Sequence, residues 1–121
     1  MYKPHGIIVT KILPNDSKRR RGVYGVWVND ELFYIGSTNR SFEERFAEHQ
    51  INLQIQNNEL KWYSKIKPTD KIEYIPIIDV TEVNCDRELD ATDIKSMELA
   101  LIITYRPEGN IAGIKTEFKY N

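Results

Sequence analysis

Five side chains stand out from this 121-residue chain because their chemistry is costly to place at random. Glu98 falls four residues after Ile94 and four before Ile102, inside or beside an apolar helical stripe. A carboxylate there needs a partner or a cation, because an unpaired buried charge is expensive. A lysine at the rim of the stripe would serve, and so would a metal ion. Arg45 and His49 lie four residues apart and share a helix face, beside Phe42 and Phe46. An arginine stem lying over aromatic rings next to a hydrogen-bonded histidine explains that spacing; so does a site that uses both groups. Tyr24 and Tyr34 fall one on each of two candidate strands, where tyrosine is at home for structural reasons alone. Register decides between the readings. An odd-length loop such as Asn29-Asp30-Glu31 puts both rings on one sheet face, an even-length loop puts them on opposite faces, and only the first lets them share a site.

Other signals are weaker. Gly36-Ser37-Thr38-Asn39 lacks the glycines and lysine of a phosphate-binding loop. The Ser37 and Thr38 hydroxyls could contact a phosphate, although turn formation is the commoner use. The run Lys18-Arg19-Arg20-Arg21 could grip a phosphate backbone, or be a solvated loop. Cys85 has no base near it in sequence and reads as structural. One cysteine and two histidines cannot build a structural zinc site.

The elements that must position these residues follow from pattern. Residues 6–13 are β-branched and apolar and read as an extended segment or an additional short edge strand, followed by a turn at Pro14-Asn15-Asp16-Ser17. Residues 22–28 and 32–36 read as two strands of an antiparallel hairpin. Ser41-Phe42-Glu43-Glu44 has capping-box spacing and opens a helix into the fifties, with Phe42, Phe46, His49 and Leu53 on one face. Asn57-Asn58 interrupts it, and residues 59–66 read as a shorter helix ended by Pro68. Residues 71–80 read as a third strand, where Pro76 demands a free edge or a bulge. A helix at about 92–105 carries the stripe Ile94, Met97, Leu101, Ile102 and Tyr105, and Pro107, Gly109 and Asn110 stop it before a short tail. Three antiparallel strands flanked by helices make an α+β fold, expected as a single domain over residues 1–121.

The chain is 40% apolar and 29% charged with a net charge of −1, ordinary for a globular protein. The charge is unevenly placed. Residues 1–25 hold Lys3, Lys11 and Lys18 to Arg21 against Asp16, while residues 82–93 hold Glu82, Asp86, Glu88, Asp90 and Asp93 against Arg87. A neutral total can hide a basic and an acidic face. No apolar run approaches a membrane span and the first residues lack the core of a signal peptide. A single cysteine excludes an intramolecular disulfide and suits a reducing cytoplasm.

Taken in order, the motifs resemble a known family. Gly22-Val23-Tyr24, then Tyr34-Ile35-Gly36, is similar to the paired motif that names the GIY-YIG nucleases. The resemblance continues through Arg45-Phe46-Ala47-Glu48-His49, Glu98 and Pro107-Glu108-Gly109-Asn110, and spans about residues 20–112. Val23 replaces isoleucine. Ser37 stands where repair-type members carry lysine, which is closer to phage homing-type members and leaves any lysine-borne role unfilled.

The resemblance implies an endonuclease that hydrolyses DNA phosphodiester bonds at a single-metal site and leaves a 5′-phosphate and a 3′-hydroxyl. Glu98 would be the only protein ligand of Mg²⁺ or Mn²⁺, with waters and phosphate oxygens completing an octahedron. Arg45 would clamp the scissile phosphate. Tyr24 would be the general base or would orient the water; a phenolate at neutral pH costs roughly 4 kcal/mol for a free tyrosine. Tyr34 and His49 would complete the network. Ser37, Thr38, Lys18, Arg19, Arg20, Arg21 and Asn110 are the substrate-side candidates, Asn110 more as a positioner of the helix or of Tyr24. DNA is the expected partner, with no membrane and no obligate protein partner. A catalytically weak or inactive nucleic-acid-binding module on the same fold is the alternative. An interaction protein, with Tyr24 and Tyr34 on opposite faces or Glu98 paired to a distant lysine, is the third reading.

Overall fold

The computed structural model describes residues 20–56, 60–81 and 89–111. The expectations for residues 6–13, Lys18, Arg19, Asn57-Asn58, Cys85 and most of the acidic stretch lie outside the described residues. Within them the chain is α+β: β1 (Gly22–Val28), β2 (Glu31–Thr38), α1 (Phe42–Gln54), a 3-10 turn (Lys61–Lys65), β3 (Ile72–Asp79), α2 (Ala91–Tyr105) and α3 (Glu108–Ile111). The three strands form one antiparallel sheet in the order β2-β1-β3.

Two apolar clusters lie on the two faces of this sheet, as the alternation of a strand requires. On one face Tyr24, Val26, Phe42, Trp62 and Tyr63 gather α1 and the 3-10 turn. On the other, Val23, Ile35, Val80, Leu89 and Ile94 gather α2. Tyr105, expected on the apolar stripe of α2, is exposed, as are Leu99 and Ile103. The stripe that packs is Ile94, Met97, Leu101 and Ile102.

The hairpin corrects the loop-length argument. The connection is the two-residue turn Asn29-Asp30, with φ of 52° and 68°, the geometry that suits a tight hairpin. That even-length loop alone would part the tyrosines. The register, however, shifts between Val26 and Trp27, so that Val26 pairs with Tyr34 and Trp27 with Leu32, leaving Phe33 as an extra residue. A bulge of one residue restores the parity, and Tyr24 and Tyr34 share a face. A second bulge lies in β3, where Val23 pairs with Ile78 and Tyr24 with Pro76. Pro76 thus sits both at a bulge and on an edge strand, the two positions that tolerate its missing N–H.

Helix starts are well defined. Ser41 caps α1 by accepting from the Glu44 amide. Asp90 and Asp93 form a reciprocal capping box at α2, a pattern the sequence signals through Asp-x-x-Asp rather than the usual Ser-x-x-Glu. At its other end α2 closes on Arg106 with φ of 46°. The chain then turns through α3, where Gly109 admits the Phe33 carbonyl: a Cβ there would lie 2.7 Å from that oxygen; the expected tail lies outside the described residues.

Candidate active site

Tyr24, on the central strand, is buried against α1. Its hydroxyl lies 2.5 Å from His49 Nε2, and its ring meets Phe46 edge-on at 5.1 Å. The opposite residue on β2 is Gly36. A Cβ at Gly36 would sit 2.5 Å from the Tyr24 hydroxyl and 2.8 Å from the Tyr34 ring, so glycine is what lets both phenols converge there. Tyr34 stacks on Trp62 at 5.0 Å and meets His49 edge-on at 6.4 Å.

His49 has no exposed surface. Its Nδ1 lies 2.6 Å from the Tyr63 hydroxyl, and the Tyr74 ring stacks on it at 5.8 Å with an 11° tilt. Burial, reinforced by the nearby Arg45 charge, pulls its pKa down to about 3. The imidazole is therefore neutral at physiological pH, with one ring nitrogen donating and the other accepting. Arg45, one turn earlier on α1, brings its charge close enough to Tyr24 to favour the phenolate and lies 3.6 Å from the Glu48 carboxylate.

Burial raises the Tyr24 pKa far above that of a free phenol. Tyr34 and Glu98 push the same way, and Arg45 opposes them only in part. Burial, with Glu98 next, pushes Tyr34 up to about 12. A resting phenolate at Tyr24 is thus costlier than the free side chain suggests. A Tyr24 that accepts a proton must surrender its own, and His49 Nε2 is the ring nitrogen in contact, an acceptor in the Nδ1–H tautomer.

Glu98 comes from α2, which covers the opposite face. It is nevertheless near enough to raise the pKa of both tyrosines. Its side chain is 12% exposed and pairs at 2.9 Å with Lys95, whose own side chain is 72% exposed. The rim-lysine partner considered for Glu98 therefore exists, one turn away on the same helix rather than at a distance. An exposed lysine pair of this kind contributes roughly 0.3–0.5 kcal/mol. Among the described residues no group of three or more His, Cys, Asp or Glu is placed to hold a metal ion. Glu98 would thus be a lone carboxylate, a donor set that fits Mg²⁺ holding waters and phosphate oxygens and no closed zinc-type cage.

The substrate-side candidates divide. Arg20 is ion-paired with Asp79 at 2.7 Å, tying the start of β1 to the end of β3. Arg21 donates to the Leu89 carbonyl and to Asn39. Both guanidinium groups therefore have structural work. Thr38 is buried and its hydroxyl accepts from the Arg40 amide; Ser37 is half-buried beside it. The Asn110 amide is spent on β2, donating to the Ile35 carbonyl at 2.8 Å and accepting from the Ile35 amide at 2.7 Å. It reproduces a strand partner on the open edge of the sheet, and so fixes α3, and α2 before it, against the strand that carries Tyr34.

Sequence reasoning missed Tyr63, Trp62, Tyr74 and Lys95. Tyr63 and Trp62 occupy a short helical stretch rich in aromatics, the one signal that could have drawn notice to them. No family model, no curated protein and no solved structure matches the chain.

Proposed function

We propose that the chain is a metal-dependent endonuclease of the GIY-YIG type, with that family's fold, acting on DNA phosphodiester bonds. One observation carries the reading. Tyr24, Tyr34, Arg45 and His49, drawn from three elements, gather on one face of the sheet, with Gly36 leaving room for the two phenols, and the Glu98 charge reaches both phenols.

Each residue then has a task that its surroundings support. Tyr24 holds the attacking water and takes its proton while passing the phenolic proton to His49 Nε2, so that no free phenolate forms. Arg45, its charge close to Tyr24, presents its planar fork to the scissile phosphate. Tyr34, fixed by its stack on Trp62, lines the site between Tyr24 and Glu98. Glu98 would hold a divalent ion, which supplies Lewis-acid stabilisation of charge on the phosphate and leaving oxygens. The lysine pair of Glu98 is weak enough for a divalent ion to displace.

The Lys95–Glu98 pair also favours a second reading, a module that binds nucleic acid without cutting it. Incubation of supercoiled plasmid with Mg²⁺ or Mn²⁺ separates the two. The nuclease reading expects nicked or linear product from the wild type and none from Glu98→Ala or Arg45→Ala. DNA binding with equal, background cleavage in all three proteins establishes the second reading.

A further inference from the structure

The hydrogen-bonded chain that begins at Tyr24 does not end at His49. The imidazole carries it on to Tyr63, with contacts of 2.5 Å on one side and 2.6 Å on the other. Tyr63 borders a cleft of roughly 680 Å³ between α1 and the 3-10 turn, whose polar walls include Gln50, Asn52, Gln54 and Ser64. Asn52, on the cleft wall, contacts the Tyr63 hydroxyl at 3.5 Å, which places that hydroxyl at the cleft boundary.

We propose that Tyr63 is the outlet of a proton chain, Tyr24–His49–Tyr63, that carries the proton of the attacking water to solvent in this cleft. The proposal rests on the nuclease reading of Tyr24. Tyr24 donates its phenolic proton to His49 Nε2 as it receives one from the water. His49 Nδ1–H donates to the Tyr63 oxygen, and the Tyr63 proton passes to water in the cleft. One proton enters, one leaves, and every member ends neutral, with the imidazole changed from its Nδ1–H to its Nε2–H tautomer. A proton passed back from the cleft to water at the emptied site resets the chain after product leaves.

The surroundings require an outlet. Arg45 on α1 places a positive charge beside His49, while Tyr24 on β1, Tyr34 on β2, Tyr63 on the 3-10 turn and Tyr74 on β3 surround it with uncharged rings. Trp62 packs on the ring as well, and burial together with the Arg45 charge outweighs what these neutral groups offer an imidazolium, so a proton accepted at Nε2 is disfavoured there and the contact at Nδ1 gives it a way on.

Single-turnover cleavage of DNA by the whole chain with Mg²⁺, in mixtures of H₂O and D₂O, tests the outlet. The wild type is expected to show a curved dependence on deuterium fraction, the mark of several protons in motion. Tyr63→Phe is expected to cleave about ten-fold or more slowly, with unchanged DNA affinity, a lowered Tm because the buried His49 Nδ1–H loses its partner, and the curvature reduced. Wild-type rates in Tyr63→Phe, or a slower rate with unaltered curvature, overturn the proposal. If the wild type does not cleave, the nuclease reading fails, and the chain is then judged by nitrogen NMR of His49. There it requires the neutral Nδ1–H tautomer, with ring N–H exchange slowed about ten-fold in Tyr63→Phe as expected for closing a route to solvent. The Nε2–H tautomer, or exchange as fast as in the wild type, contradicts it.

Discussion

Around His49, Tyr24 and Tyr63 supply short hydrogen bonds and Tyr74 a stacked ring, and the imidazole is left with no exposed surface. Glu98, in contrast, is held by one ion pair to a lysine that is itself 72% exposed. The histidine half is set by folding, since its partners are core residues that the sheet and α1 must bury anyway. The carboxylate half is only lightly committed, and the proposed cation would displace no more than a surface-type pair. Under the proposed nuclease reading, such a site would be preorganised where protons move and adaptable where charge is recruited.

The largest way to break this contrast is His49→Ala. It removes a buried ring and leaves the Tyr24 and Tyr63 hydroxyls without their partner. Stability should fall by about 3 kcal/mol in urea unfolding, and cleavage by at least about a hundred-fold. Glu98→Ala should abolish cleavage with far less loss of stability, which is the asymmetry between the two halves in its simplest form.

Asn110→Ala tests the tie between the halves. It strips the edge partner from Ile35 and should cost about 2 kcal/mol. Cleavage should fall as well, because α2 and Glu98 lose their anchor on β2; an activity equal to wild type would separate Asn110 from the site.

The buried half should also respond to pH. His49 binds a proton less readily folded, at about 3, than unfolded, at roughly 6.5. Below the unfolded value the unfolded chain takes up more protons, so stability is lost as pH falls from about 6.5 toward about 3. Between pH 7 and pH 5 the loss from this group should be about 2 kcal/mol. His49→Gln should remove most of that dependence, as read from urea titrations at the two pH values.

The smallest effect belongs to the lightly held half. Lys95→Ala should change stability by less than about 0.5 kcal/mol while lowering the Mg²⁺ concentration needed for half-maximal cleavage. A raised requirement would mean that Lys95 assists the carboxylate rather than competing for it.

Much of this contrast is legible in the sequence, but unevenly. The Ser41 cap, the helix face of Phe42, Phe46 and His49, and the edge position of Pro76 follow from local rules, because each depends on residues within one element. The joint placement of Tyr24 and Tyr34 did not follow from loop length. It depends on the Phe33 bulge, which the apolar run of β2 does not announce. Tyr63 is 14 residues from His49 and Asn110 is 75 from Ile35. Their roles arise from packing between elements, for which neither periodicity nor capping chemistry supplies a signal. Lys95 was readable in principle, three residues before Glu98 on the same helix face.

The central claim is that Tyr24, hydrogen-bonded to a neutral buried histidine, takes the proton of the attacking water. Tyr24→Phe removes the one hydroxyl concerned and keeps the ring that fills the core. Single-turnover DNA cleavage by this variant and the wild type, at saturating Mg²⁺ with DNA affinity measured in parallel, tests the claim most directly. The account predicts a rate lowered by at least about a hundred-fold at unchanged affinity. Cleavage by Tyr24→Phe at the wild-type rate would contradict it.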